Sequence, residues 1–336
     1  MRKLVFTVLI TLAFVRNASA WNTRGHEIVA YIAYEQMDSA TRAKVDALVQ
    51  KNPCITEWTA DVSSLPANQQ SVALFMLSAT WPDMIRTASG PHAYKCQPGH
   101  TFVSDGSGGG DIPPPGTAAS QNIGFTDTAM HKYWHFIDLP FSTDGTTTTS
   151  ARHPNALTQI IKLRTALASS EDADLKSYDL AWLTHLVGDV HQPLHDTARF
   201  TKNHCVGTPP KCSGDNGGNL VIICTTPKCK SELHAYWDGL LGSPDASLSS
   251  TIKVAKALNA RPKPAGADSA NVNSWVTDGR ELAKSHVYIP PISDDEPGSV
   301  VGVPDSAYHD QAKTLAQSQV LLAGYRLKAL VSTALK

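Results

Sequence analysis

Apolar positions along the chain recur at the 3.6-residue spacing of an amphipathic helix over 25–37, 40–50, 70–79, 155–168, 178–190, 231–241, 250–260, 269–286 and 307–334. Ser39 ahead of an Ala-Thr-Arg run and Pro193 just after Val190 read as helix start and stop signals. Asn216-Gly217-Gly218 followed by Leu220–Ile223 predicts a turn and a short strand, in a small hairpin closed by a cysteine-containing loop. Gln97–Phe125, rich in Gly, Pro and Ser, and Ser142–His153, rich in Thr, read as long surface loops. The pattern predicts one domain, all-α in the sense of mainly helical.

The first apolar run is of another kind. Arg2 and Lys3 precede Leu4–Val15, broken only by Thr7 and Thr11, and Ala18-Ser19-Ala20 ends it with small residues. That is the pattern a signal peptidase reads, so residues 1–20 are expected to be a signal peptide and 21–336 the secreted or periplasmic domain. No stretch reaches the roughly 20 apolar residues of a membrane span, so no membrane anchor is expected. Six cysteines follow: Cys54, Cys96, Cys205, Cys212, Cys224 and Cys229. An even set in an exported chain favours disulfides, with the pairing open. A structural zinc knot built from the last four is the alternative.

Charge narrows the function. The leader takes Arg2, Lys3 and Arg16 from the 29 basic residues, leaving 26 against 30 acidic, a net of −4. A tight duplex binder would carry a basic face. If this chain handles phosphates, a cation other than Lys and Arg must attract them.

Histidine and aspartate recur at ligand spacing. His185 and Asp189 stand four apart in an otherwise apolar segment, on one helix face. A buried aspartate there needs a metal, an ion pair or a core hydrogen bond. His234 and Asp238 repeat the step, His195 follows Gln192-Pro-Leu, His135 and Asp138 share an aromatic-rich segment, and Asp83 lies one turn before Arg86. Cleavage after Ala20 would free the amine of Trp21, with His26 five residues on. An α-amine of pKa near ~8 can give up its proton to a metal and form a chelate with its own carbonyl.

Trp21-Asn-Thr-Arg-Gly-His26, Trp81-Pro-Asp83, Trp134-His-Phe-Ile-Asp138, His185-Leu-Val-Gly-Asp189, Gln192-Pro-Leu-His195, Asn216-Gly-Gly-Asn219 and His234 to Asp238 occur in one order along the chain. Together they resemble the secreted trinuclear-zinc single-strand nuclease and 3′-nucleotidase family, which shares its helical fold with bacterial zinc phospholipase C. Ala323-Gly-Tyr-Arg-Leu-Lys-Ala-Leu330 resembles the family's closing helix. The resemblance implies a phospholipase C/nuclease-like fold and three Zn2+. Asp83, His135, His185 and Asp189 would hold the first, and His195, His234 and Asp238 the second. Trp21, through amine and carbonyl, and His26 would hold the third, with Asp189 bridging the first and third. Asp83, Arg86 and Asp189 would be catalytic, with Arg86 beside the scissile phosphate. Phe136, Asp138 and Asn219 would bind the base. The implied activity is hydrolysis of single-stranded DNA and RNA, and of 3′-nucleotides, to 5′-phosphate products. A metal-bridging hydroxide would attack phosphorus while zinc stabilises the leaving 3′ oxygen. Three Zn2+ against three aspartates would leave a positive surplus that draws in a polyanion. Monomer is the expected state.

The nearest rival is a phospholipase C of the same fold, but the spacings Trp21-x4-His26 and His234-x3-Asp238 favour the nuclease branch. A non-catalytic, disulfide-rich metal-binding module is a further rival, and a zinc peptidase lacks its His-Glu-x-x-His. His131, despite standing four before His135, reads as a bystander, and His191 as lying behind the ligands or on the surface. His92, His100, His153, His204, His286 and His309 read as loop or surface residues, and Lys132, Lys202 and Lys211 as solvated.

Overall fold

The computed structural model describes residues 21–87, 93–169, 172–203, 214–225, 229–292, 302 and 304–336. Helix α1 (Thr23–Gln36) begins behind Asn22, whose side-chain oxygen accepts from Gly25 N. α2 (Ser39–Val49) is capped by Asp38, which accepts from Thr41 N at 2.7 Å. α3 (Ile55–Val62), α4 (Ala67–Ser78) and the single turn α5 (Trp81–Met84) follow. α3 and α5 are too short to declare a period, and the hydrophobic pattern does not mark them.

Strand β1 (Leu139–Ser142) comes next. α6 (Ala156–Leu167) then starts on a capping box made by Asn155 and Thr158. α7 (Ala173–Asp189) is buried from Ser177 to its last residue. β2 (Thr197–Phe200) pairs in parallel with β1, a pairing the sequence pattern does not mark. β3 (Ile222–Ile223) and β4 (Ser231–Glu232) form the expected antiparallel hairpin, and the Cys224–Cys229 disulfide closes its loop. α8 (Leu233–Asp238), α9 (Leu248–Asn259) and α10 (Val272–Leu282) follow; α10 continues into a π-helical turn, Ala283–Val287. α11 (Ser306–Ala334) starts behind an Asp305 cap.

α1 and α7 run through the middle, wrapped by α4, α6, α9 and α11. α11 approaches α1 across Gly324, where a Cβ would lie 2.5 Å from Ile32 Cγ2, so only glycine fits. Trp81 meets Tyr94, Phe102, Phe125, Tyr178 and Trp182 edge-on. Each Phe-sized ring buried there is worth up to about 3 kcal/mol. Tyr94, Phe102 and Phe125 belong to the Gly/Pro-rich segment or its edge, and the Cys54–Cys96 disulfide ties that segment to the start of α3. The long loop is therefore pinned to the core and contains three short 3-10 turns.

Cys224 and Cys229 are bonded to each other, which removes the zinc-knot alternative. Cys205, Cys212, residues 1–20, His92, His204 and Lys211 lie outside the described residues. No described helix is long and apolar enough to cross a membrane.

Candidate metal centre

The C-terminal half of α7 presents His185 and Asp189 one turn apart, both fully buried. Asp189 Oδ1 lies 3.3 Å from His26 Nε2. Its other oxygen lies 3.2 Å from His135 Nδ1 and 3.4 Å from His185 Nε2. One carboxylate thus faces two different histidine sets. Asp83 Oδ1 stands 3.7 Å from His185 Nε2 and 3.8 Å from His135 Nδ1.

Two glycines permit this convergence. A Cβ on Gly188 would come within 2.8 Å of His26 Nδ1, so α7 accepts the His26 ring only because residue 188 has no side chain. A Cβ on Gly25 would lie 2.4 Å from Trp21 Cβ, and the buried Trp21 occupies that space. Asn22 N donates to Asp238 O at 3.3 Å, joining this first turn to the end of α8.

The second group is His195, His234 and Asp238. His195 Nδ1 donates to His135 O at 2.6 Å, His234 Nδ1 to Gly217 O at 2.7 Å and His185 Nδ1 to Ala79 O at 2.8 Å. A carbonyl only accepts, so each of these rings carries its proton on Nδ1 and a lone pair on Nε2. The Nε2 atoms of His195 and His234 face each other at 2.8 Å. Two lone pairs at that distance repel unless a cation lies between or beside them. Asp238 Oδ2 is 3.7 Å from His234 Nε2, and its Oδ1 accepts from Gln192 Nε2 at 2.8 Å.

Burial holds His26, His135 and His195 well below the ordinary histidine pKa and lowers His185 to about 3. Burial, followed by repulsion from Asp83, pushes Asp189 well above the carboxylate range, and burial does the same to Asp238. Although His26 and Asp189 approach within ion-pair distance, burial disfavours the charged form of each. Both nitrogens of His26 and both oxygens of Asp189 lack a hydrogen-bond partner. Buried polar atoms without partners are costly. Neutral imidazole nitrogens converging on carboxylates form a donor set that fits divalent cations.

Three groups have ligand atoms within 4.8 Å of one another: His26, Asp83 and His185; His135, His185 and Asp189; His195, His234 and Asp238. These are all the histidines and aspartates the resemblance named as ligands, and Trp21 is buried against Gly25, the residue before His26.

Arg86 Nη1 is 3.3 Å from Asp83 Oδ1, one turn along from α5. Phe136 and Asp138 line an open cleft together with Asp111, Arg152 and Phe200. Burial, with repulsion from Asp215 and Asp111, raises the Asp138 carboxyl to about 8, against the pull of Arg152. Asn219 does not line this cleft; it sits on the turn that carries Gly217, its amide donating to Asn216 O at 2.7 Å.

His131 lies outside the ligand groups, between Asp105 and Asp127. His191 is buried behind α7, with Nδ1 bonded to Val187 O at 2.7 Å and Nε2 accepting from Arg326 at 3.0 Å. Sequence reasoning gave no role to Gly25, Gly188 or Gln192, or to the carbonyls of Ala79, His135 and Gly217. Gly188 carried a signal, since glycine inside a helix costs about 1 kcal/mol relative to alanine and implies a close approach.

Fold and site together define a mainly helical protein that gathers histidines and aspartates from along the chain into three potential metal-binding groups. A family model for S1/P1 nucleases matches residues 21–336, and the chain belongs to that family. It is 23% identical to Nuclease S1 of Aspergillus oryzae over 337 residues, covering 95% of this chain and 93% of that protein. It is 24% identical to Endonuclease 5 of Arabidopsis thaliana over 245 residues, 72% of this chain and 62% of that protein.

Proposed function

We propose that residues 21–336 act, after removal of residues 1–20, as a secreted or periplasmic zinc-dependent endonuclease. It hydrolyses single-stranded DNA and RNA to 5′-phosphate products, removes 3′-phosphates from nucleotides, and works as a monomer. The observation that carries this reading is Asp189, a buried carboxylate whose two oxygens face separate histidine sets. Imidazole, carboxylate and amine donors without thiolate suit Zn2+. Asp83, His135, His185 and Asp189 would hold one ion, His195, His234 and Asp238 a second, and Trp21 (amine and carbonyl) with His26 a third, sharing Asp189. Bound zinc would lower the pKa of water and offset charge developing on phosphoryl oxygens.

The chain's own groups do the rest. The carbonyls of Ala79, His135 and Gly217 fix the imidazole tautomers, and Gln192 orients Asp238. Arg86, held by Asp83, donates to a non-bridging oxygen of the scissile phosphate. Phe136 stacks on a base, and Asp138, largely protonated at neutral pH, both donates to and accepts from its edge. Asn219 contributes from the neighbouring turn. Bases in a duplex hide their faces, so stacking selects single strands.

The test is to incubate protein beginning at Trp21 with single-stranded DNA, RNA and phosphatidylcholine, with and without chelator. Chelator-sensitive release of 5′-mononucleotides is expected. Choline phosphate release with intact nucleic acid would overturn the nuclease reading in favour of a phospholipase.

A further inference from the structure

The Thr-rich segment before α6 ends in a cation that the reading above does not use. Arg152 lines the cleft that holds Phe136 and Asp138. It is half-buried, and its guanidinium has no hydrogen bond or ion pair among the described residues. Arg86, by contrast, is held by Asp83.

Arg152 is also held in place. Asn155 Nδ2 donates to Arg152 O at 2.7 Å, while the Asn155 side-chain oxygen accepts from Thr158 N at 3.1 Å as the cap of α6. The backbone of Arg152 is thus tied to a helix start. Two carboxyls share the cleft: burial raises the pKa of both Asp138 and Asp111, and Arg152 pulls Asp138 only part of the way back, leaving it at about 8. An arginine fixed by its backbone, partly stripped of water and with no hydrogen bond or ion pair to its guanidinium among the described residues, is arranged to receive an anion from outside. A phosphate matches its fork of donors.

We propose that Arg152 is a substrate contact: it binds the phosphate of the nucleotide whose base occupies the Phe136/Asp138 cleft. This rests on the nuclease reading, and it adds a substrate-binding residue from a loop outside the ligand motifs. Arg152 sets affinity for the strand and takes no part in bond breaking.

The experiment compares zinc-loaded wild type, Arg152→Ala, Arg152→Lys and Arg152→Glu on a short single-stranded oligonucleotide. Melting temperature and zinc content serve as controls. Arg152→Ala raises KM about ten-fold with kcat within about two-fold, and its log(kcat/KM) falls less steeply with log[salt], by about one unit. Arg152→Lys recovers part of the loss, and Arg152→Glu exceeds it. If Arg152→Ala fails to fold, the Lys and Glu variants carry the test by themselves. Unchanged KM and parallel salt curves overturn the proposal while wild-type cleavage leaves the nuclease reading intact. If wild type cleaves nothing, anisotropy with a labelled oligonucleotide separates the two ideas. Wild-type binding that weakens in Arg152→Ala upholds the contact without the chemistry, and no wild-type binding overturns both.

Discussion

His131 and His135, four residues apart along the chain, belong to two different clusters of histidine and aspartate with opposite electrostatics. His131 is one imidazole between two carboxylates: Nδ1 is 3.0 Å from Asp105 Oδ2 and Nε2 is 2.6 Å from Asp127 Oδ2. Asp105 also takes the backbone N–H of His131, Tyr178 donates to Asp127, and the ring stacks on Trp134 at 3.8 Å. Burial works against the imidazolium there, but the bonds to both aspartates outweigh it and raise the pKa of His131. Burial likewise opposes ionisation of the two aspartates, and bonding to His131 lowers both. That cluster is complete as an ion-paired unit. Around Asp189 the imidazoles outnumber the carboxylates, and His185, His195 and His234 each give Nδ1 to a backbone carbonyl. Here burial holds His26, His135, His185 and His195 well below the ordinary imidazole pKa and drives Asp189 and Asp238 towards protonation. Although Arg86 stands beside Asp83, the converging donors call for further positive charge. What separates a candidate ligand histidine from a structural one is where its second nitrogen points.

The largest effect should come from withholding that charge. Chelation should abolish activity and lower the melting temperature, because ligands drawn from residues 21 to 238 lose their common partner. Asp189→Asn should cut activity on the order of a thousand-fold. The same substitution should leave the metal-free protein at least as stable as metal-free wild type, since burial disfavours the ionised carboxylate there. Calorimetry with and without chelator, alongside zinc analysis, reads both. A wild-type melting temperature that does not change on complete zinc removal would break the contrast.

The His131 cluster should respond the other way. His131→Gln leaves the buried Asp127 and the partly buried Asp105 without their shared cation and should cost about 3 kcal/mol of stability, with zinc content unchanged. Because the folded pKa of His131 is raised, its contribution is fully present below the unfolded value of 6.5 and is lost as pH rises through the folded one. Urea melts of wild type and variant should therefore converge at alkaline pH. A gap that stays constant from pH 5 to pH 10 would show that His131 acts by packing alone.

The sequence carried the His–Asp pairs of α7 and α8 because a four-residue step on a helix places side chains on one face without help from tertiary structure. It carried His26 and Trp21 only through resemblance, since nothing local says that the first turn of α1 folds onto α7. That contact depends on Gly25 and Gly188, where the informative feature is a missing side chain. Strands β1 and β2 were not legible: their pairing joins segments 58 residues apart, and each is four residues long. His131 and His135 share the same four-residue step, and only the positions of Asp105 and Asp127 tell them apart.

Asp138 tests the rule from a third position. Its carboxyl is raised from the ordinary 3.8 to about 8, in the same direction as Asp189, but it lies in the cleft with Phe136 and Arg152 that we propose takes the base. A carboxyl whose folded pKa is raised binds its proton more tightly when folded, so its contribution to stability falls as pH rises between those two values. The slope is at most about 1.4 kcal/mol per pH unit. Asp138→Asn keeps the shape without the titration and should flatten that fall in denaturant melts from pH 4 to pH 8. Its activity should drop no more than about ten-fold, far less than in Asp189→Asn, because losing one hydrogen bond to a base weakens binding while losing a shared ligand removes the chemistry. Equal losses in the two variants would move Asp138 out of the base cleft's role and into the metal centre's.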